Sequence, residues 1–88
     1  MKRELSDYTE REFIEFMNGI VTVDASLYPS ERAHTKAILE FKRLASHPSG
    51  TDLLYYPKKH GLTGSLVEVV EVIKQWRSAQ GLAGFRAD

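Results

Sequence analysis

Residues 47–57 read HPSGTDLLYYP, and the order of stop and start signals in them decides how the chain on either side must fold. Proline has no amide hydrogen and pushes the residue before it out of the α region, so His47-Pro48 ends any helix arriving from upstream. Ser49, Gly50 and Thr51 offer hydroxyl oxygens and a permissive backbone where a new helix needs an N-cap, and Asp52 sets a carboxylate near its positive end. Pro57 then limits this helix to about one turn. Within one turn Leu53 and Leu54 reach a core, whereas Tyr55 and Tyr56 point about 100° apart and cannot both be buried, so at least one faces solvent or a partner. Tyrosine covers thin cores with its hydroxyl in water. It is also enriched at interface hot spots, where it brings rigid area at little entropy cost. The residues alone leave both roles open.

Upstream, Ser30 is an N-cap for a helix expected over Glu31–Ser46, with Ala37, Phe41 and Leu44 at the centre of its apolar stripe and Ala33 and Ala45 alongside. Glu31, His34, Thr35, Ile38 and Lys42 lie on a mixed strip flanking that stripe. Before it, Thr9 and Glu12 form a capping box, with Tyr8 and Phe13 placed as a hydrophobic staple. Phe13, Met17 and Ile20, with Ile14, Phe16 and Val21 beside them, recur at helical spacing and leave Glu10, Arg11, Glu15 and Asn18 outward. Asp24-Ala25-Ser26 breaks this pattern, and Tyr28 is placed to cover the end of the bundle or to reach a partner.

Downstream, residues 58–64 (KKHGLTG) read as a polar loop, and Ser65 with Glu68 forms another capping box. In the last helix Leu66, Val69, Val70, Ile73 and Trp76 are expected to be buried, with Lys74, Gln75 and Arg77 toward solvent. Gly81 is the C-terminal stop, after which Phe85 is expected to fold back over the bundle.

The 88 residues carry twelve Lys and Arg against twelve Asp and Glu, so no global field advertises a nucleic-acid partner. The front is slightly acidic: residues 1–57 hold seven basic against nine acidic side chains, and residues 58–88 five against three. A chain of this size buries roughly 60% of its unfolded surface, which leaves a modest core and little room for an enzyme cleft. The absence of cysteine excludes a disulfide framework and a thiolate metal site, as suits a reducing compartment. The start MKRELSDYTERE is too charged for a signal peptide, and no apolar run approaches the roughly 20 residues that span a bilayer, so a soluble cytoplasmic protein is expected.

Catalytic constellations are not expected. His34, His47 and His60 have no paired ligand spacing. Ser49, His47 and Asp52 crowd one short turn in which a triad geometry is implausible. There is no glycine-rich phosphate loop. A DNA-reading last helix would need more than Lys74 and Arg77 against Glu68 and Glu71. The residues therefore point to no catalytic group, metal, cofactor, membrane or direct nucleic-acid contact.

HPSGTDLLYYP, together with SDYTEREF (6–13), LEFKRL (39–44) and IKQWRSAQGLAGF (73–85), resembles the immunity proteins of DNase-type colicins and S-type pyocins, in the same order over nearly the whole chain. The resemblance implies an all-α, distorted antiparallel four-helix bundle over residues 1–88, with three long helices and a short third. It also implies a binding protein that neutralises the HNH-type DNase domain of a bacteriocin in the producing cell. Such a protein docks beside the active site, as a monomer when free and as a 1:1 heterodimer with the toxin. By position, Thr51, Asp52, Tyr55, Tyr56 and Pro57 are the implied anchor, and Glu31, His34, Thr35, Ile38 and Lys42 the implied discriminating flank. Colicin DNase–immunity pairs are among the tightest non-covalent complexes. The sequence departs from many relatives at Lys42, where they carry an acidic residue, in the 58–64 loop, where they are often rich in acids, and in a longer loop around Tyr28. The alternative is a small helical interaction module with another partner.

Overall fold

The computed structural model describes residues 4–87; residues 1–3 and 88 of the expected 1–88 domain lie outside the described residues. After a 3₁₀ turn at Leu5–Asp7, helix α1 spans Glu10–Thr22. It starts where the sequence places it. The Thr9 hydroxyl accepts from the Glu12 N–H at 3.1 Å, and the Glu12 carboxylate accepts from the Thr9 N–H at 2.9 Å. Tyr8 meets Phe13 edge-on, with ring centroids 5.5 Å apart. Helix α1 ends because Val23 turns left-handed (φ 50°, ψ 56°) and its N–H reaches back to the Gly19 and Ile20 carbonyls.

Helix α2 spans Glu31–Ala45, with the Ser30 hydroxyl accepting from the Ala33 N–H at 3.2 Å. It stops one residue earlier than expected, because Ser46 takes a left-handed conformation (φ 55°) and donates its N–H to the Lys42 carbonyl. Helix α3 is the single turn Asp52–Tyr55, and helix α4 spans Leu66–Ala79 behind a Ser65–Glu68 capping box. The 58–64 segment is not wholly loop. Pro57–His60 forms a 3₁₀ turn, for which the fixed φ of Pro57 at its first position is already suited. Helix α4 closes with Gly81 left-handed (φ 73°), the Gly81 N–H on the Ser78 carbonyl and the Leu82 N–H on the Arg77 carbonyl, the two bonds of a Schellman turn. No strand occurs among the described residues.

Helix directions follow from which ends meet. Phe13 early in α1 stacks on Phe41 late in α2 at 5.8 Å, while His34 early in α2 reaches the Ile20 carbonyl late in α1, so the two run antiparallel. Lys74 late in α4 pairs with Glu10 at the start of α1 at 3.3 Å, so α4 also opposes α1. Helix α3 packs against α1 and α4. The core they share is Phe13, Met17 and Ile20 from α1, Ala37, Phe41, Leu44 and Ala45 from α2, Leu53 and Leu54 from α3, and Val69, Val70 and Ile73 from α4. The architecture is the all-α four-helix bundle with a short third helix.

Three side chains depart from expectation. Val21, placed alongside the α1 stripe, is exposed. Arg77, expected in solvent, is only 9% exposed. Its Nε donates to the Ala83 carbonyl at 2.8 Å and its guanidinium to the Leu44 carbonyl at 3.1 Å. Trp76, expected in the core, is half-buried at the edge, with its ring centroid 5.3 Å from that of His47. The physical reason lies at the end of α2, whose last carbonyls have no intrahelical donor. Ile73 and Arg77 are four residues apart on one face, and a guanidinium reaching that end supplies several donors where an indole supplies one. Beyond α4 the tail returns over the bundle as expected: Phe85 lies 5.4 Å from Phe13, and the Arg86 N–H donates to the Tyr8 carbonyl at 2.7 Å.

Candidate protein-docking site

The turn that presents α3 is built by local bonds. His47 Nδ1 accepts the Ser49 N–H at 3.0 Å while its ring lies on Trp76. Burial, and secondarily the charge of His60, hold the His47 imidazole below the usual histidine range. Gly50 sits buried at φ 50°, with its N–H on the His47 carbonyl at 2.9 Å. Of the N-cap candidates Ser49, Gly50 and Thr51, the structure puts Thr51 at the cap position, but its hydroxyl makes no capping bond. Its backbone is already helical (φ −66°, ψ −15°), which turns the side chain away from the amides it would need to reach. The amides of Asp52, Leu53 and Leu54 are satisfied instead by the carbonyls of Ser49, Gly50 and Thr51 at 3.0, 3.2 and 2.9 Å. The Asp52 carboxylate consequently makes no hydrogen bond or ion pair among the described residues.

Leu53 and Leu54 are buried and fix the inner face of α3. On the outer face both tyrosines are exposed, Tyr55 to 40% and Tyr56 to 62%. Partial burial pushes the Tyr55 hydroxyl pKa up. At Tyr56 the backbone leaves the helix (φ −132°, ψ 55°) and Pro57 begins the 3₁₀ turn. Tyr55, Tyr56, Pro57, Lys58 and Lys59 thereby line one open hollow of about 390 Å³. This arrangement offers aromatic area, a proline-stiffened backbone and an uncommitted carboxylate, and it holds no nucleophile–base pair. No group of His, Asp and Glu that could hold a metal occurs among the described residues.

The flank of α2 divides into two parts. Glu31, His34 and Thr35 line a second hollow of about 450 Å³ with Val23, Tyr28, Pro29 and Ser30. His34 is half-buried, and its Nε2 donates to the Ile20 carbonyl at 2.8 Å while its ring meets Tyr28 at 5.6 Å, so this side chain also ties α2 to α1. Tyr28 is itself partly buried and covers that end of the bundle; burial, and then Asp24, push its hydroxyl pKa up. Ile38 packs half-buried on the core. Lys42 joins the flank to the α3 turn, because its stem lies where a Cβ on Gly50 would meet it at 3.7 Å. Sequence reasoning did not place Lys58 and Lys59 beside the tyrosines. The signal for them is Pro57, which starts a 3₁₀ turn and so folds the next two residues back onto the hollow.

The sequence profile of the colicin immunity protein / pyocin immunity protein family matches residues 5–79, a span that contains α1 through α4. The chain belongs to this family. Two immunity-family relatives from Pseudomonas aeruginosa, the pyocin-S1 and pyocin-S2 immunity proteins, are each 48% identical over 87 residues, covering 99% of both chains. Among solved structures, a chain of the pyocin AP41 DNase–immunity complex superposes with a TM-score of 0.79 at 31% identity, covering 99% of this chain and all of that one. A chain from the complex of the pyocin S8 nuclease domain, a mutant form, with its cognate immunity protein gives 0.78 at 34% identity, covering 98% and 100%. No helix of the described residues is long and apolar enough to cross a membrane.

Proposed function

We propose that this immunity-family chain binds the DNase domain of a cognate bacteriocin, an HNH-type nuclease, and inhibits it without performing catalysis itself. The observation that carries the proposal is the outer face of α3. Two adjacent tyrosines stand exposed on a turn whose leucines are locked in the core, beside a carboxylate with no intramolecular partner. Covering such aromatic area is the usual source of hot-spot binding energy. Thr51, Asp52, Tyr55, Tyr56 and Pro57 anchor the nuclease, which docks beside its active site so that the bulk of the bundle excludes DNA. Specificity is a difference of affinities, which a common anchor cannot supply. It is assigned to Glu31, His34, Thr35, Ile38 and Lys42 on α2, with Lys42 repelling toxins whose facing surface is basic. Residues 1–88 act as one domain in the cytoplasm of the producing cell, monomeric when free and 1:1 with the toxin.

A protection assay tests this. A pyocin-sensitive strain expressing the chain should survive the toxin of the producing strain. The Tyr55→Ala/Tyr56→Ala variant, produced at the same level and still helical, should not protect. Equal protection by both proteins would remove α3 from the interface, and no protection by the wild type would reassign the chain to a different partner.

A further inference from the structure

Between Glu40 and Glu68 the chain carries a single carboxylate, Asp52, against Lys42, Arg43, Lys58 and Lys59. That stretch contains α3 and both turns that frame it. Arg43 is turned back onto Glu40, and elsewhere Lys74 and Arg86 are held by Glu10 and Glu12. The ammonium groups of Lys58 and Lys59 have no hydrogen bond or ion pair among the described residues, and both side chains are exposed and line the same hollow as Tyr55, Tyr56 and Pro57. Side chains of a 3₁₀ turn fan out about 120° apart, so Lys58 and Lys59 reach the hollow from different directions. On the other side, the stem of Lys42 over Gly50 brings a further exposed cation to the turn entering α3.

We infer that Lys58 and Lys59 form a cationic rim that recognises carboxylates on the nuclease, beside the hollow that receives its apolar surface. This rests on the proposed function and adds the chemistry of the partner's face. A basic face, such as a groove shaped for DNA phosphates, would be repelled by the rim at the moment the tyrosines dock. The matching face is acidic and therefore lies beside the phosphate-binding surface. The lysines select among nucleases by the presence of those carboxylates, independently of the α2 flank, and they act chiefly on encounter, as charges at an interface edge do.

The test compares wild type, Lys58→Glu/Lys59→Glu and Lys58→Gln/Lys59→Gln for association with the toxin of the producing strain, pyocins S1 and S2, the pyocin AP41 DNase and the pyocin S8 nuclease domain. Rates are followed at about 50 mM and about 500 mM salt, across which screening tightens severalfold. Against the toxin that wild type binds best, the Glu pair should associate at least about tenfold more slowly at low salt, with the Gln pair between and the gap closing at high salt. Thermal unfolding should be unchanged, because both side chains are exposed. Association that is unchanged or faster in the Glu pair overturns the rim, and a parallel loss with Tyr56→Ala in the same experiment shows that the anchor itself stands. Retention of a short single-stranded DNA by wild type but not by the Glu pair also overturns it, assigning the lysines to nucleic acid. Wild type that associates with none of these toxins, that of the producing strain included, overturns the proposed function and the rim together.

Discussion

Truncating the two tyrosines separates binding from folding because their exposures differ. A tyrosine carries on the order of 200 Å² of surface. Tyr56 is 62% exposed and Tyr55 40%, so a partner that covers both removes about 120 Å² and about 80 Å² of further surface, in that order. At about 25 cal/mol per Å² this is worth about 3 kcal/mol for Tyr56 and about 2 kcal/mol for Tyr55. The covered fractions are in the reverse order, and they belong to the fold. Tyr56→Ala should therefore weaken nuclease binding by on the order of a hundredfold while moving the urea midpoint little. Tyr55→Ala should lose less affinity and more stability. Calorimetric titration against the nuclease, paired with urea unfolding of the free variants, reads both quantities. If Tyr56→Ala leaves the affinity within about threefold, or if the two affinity losses follow the stability losses, the tyrosines are a cover for the core and the anchor assignment is wrong.

Asp52→Asn should leave unfolding unchanged, since the carboxylate makes no internal hydrogen bond, and should weaken the complex by about 1.5–3 kcal/mol, the range for a bond to a charged group; a loss seen only in urea unfolding would make Asp52 a helix-stabilising residue. Val23→Gly should stabilise the free protein by about 1 kcal/mol, because a β-branched residue at φ 50° pays a left-handed penalty that glycine escapes; a lower melting temperature would show that the Val23 side chain is packed. The depressed His47 pKa means that the unfolded chain binds the extra proton first, so stability should fall as pH drops from the unfolded value of about 6.5 toward the folded value and level off below it. His47→Gln should flatten that segment of the stability curve, and an unchanged slope would mean that other groups carry it. His34→Leu should destabilise the fold by about 1 kcal/mol through the lost bond to the Ile20 carbonyl, so its effect on toxin choice has to be read from affinities of the folded variant.

Much of the fold is legible where the local chemistry is self-contained. The Thr9–Glu12 and Ser65–Glu68 boxes, the Ser30 cap, the Gly81 stop and the pairing of buried leucines with exposed tyrosines in α3 all depend on residues within one turn of each other. What escaped depends on partners distant in sequence. Arg77 is drawn inward by the carbonyl of Leu44, 33 residues away, and Trp76 is displaced to the edge where His47 waits. Ser49, Gly50 and Thr51 offered a cap for α3, but the backbone turn from Ser49 satisfies the amides with carbonyls instead. For the site, residue types left the two tyrosines open between covering the core and meeting a partner, and only the resemblance implied an anchor; the structure adds that both are exposed. The double use of His34, as a flank residue and as a tie to α1, could not be read from residue types, because the Ile20 carbonyl it holds is exposed only by the left-handed end of α1 at Val23.

The central claim is stoichiometric inhibition through α3, and titration of DNA cleavage tests it most directly. The nuclease domain of the toxin from the producing strain is held at fixed concentration while the chain is added, and plasmid cleavage is followed. The account predicts that cleavage falls linearly and ends at one chain per nuclease, whatever the DNA concentration, and that Tyr55→Ala/Tyr56→Ala shifts the curve far to the right. Cleavage that persists at a large excess of wild-type chain, or an end point that is the same for wild type and the double variant, would contradict it.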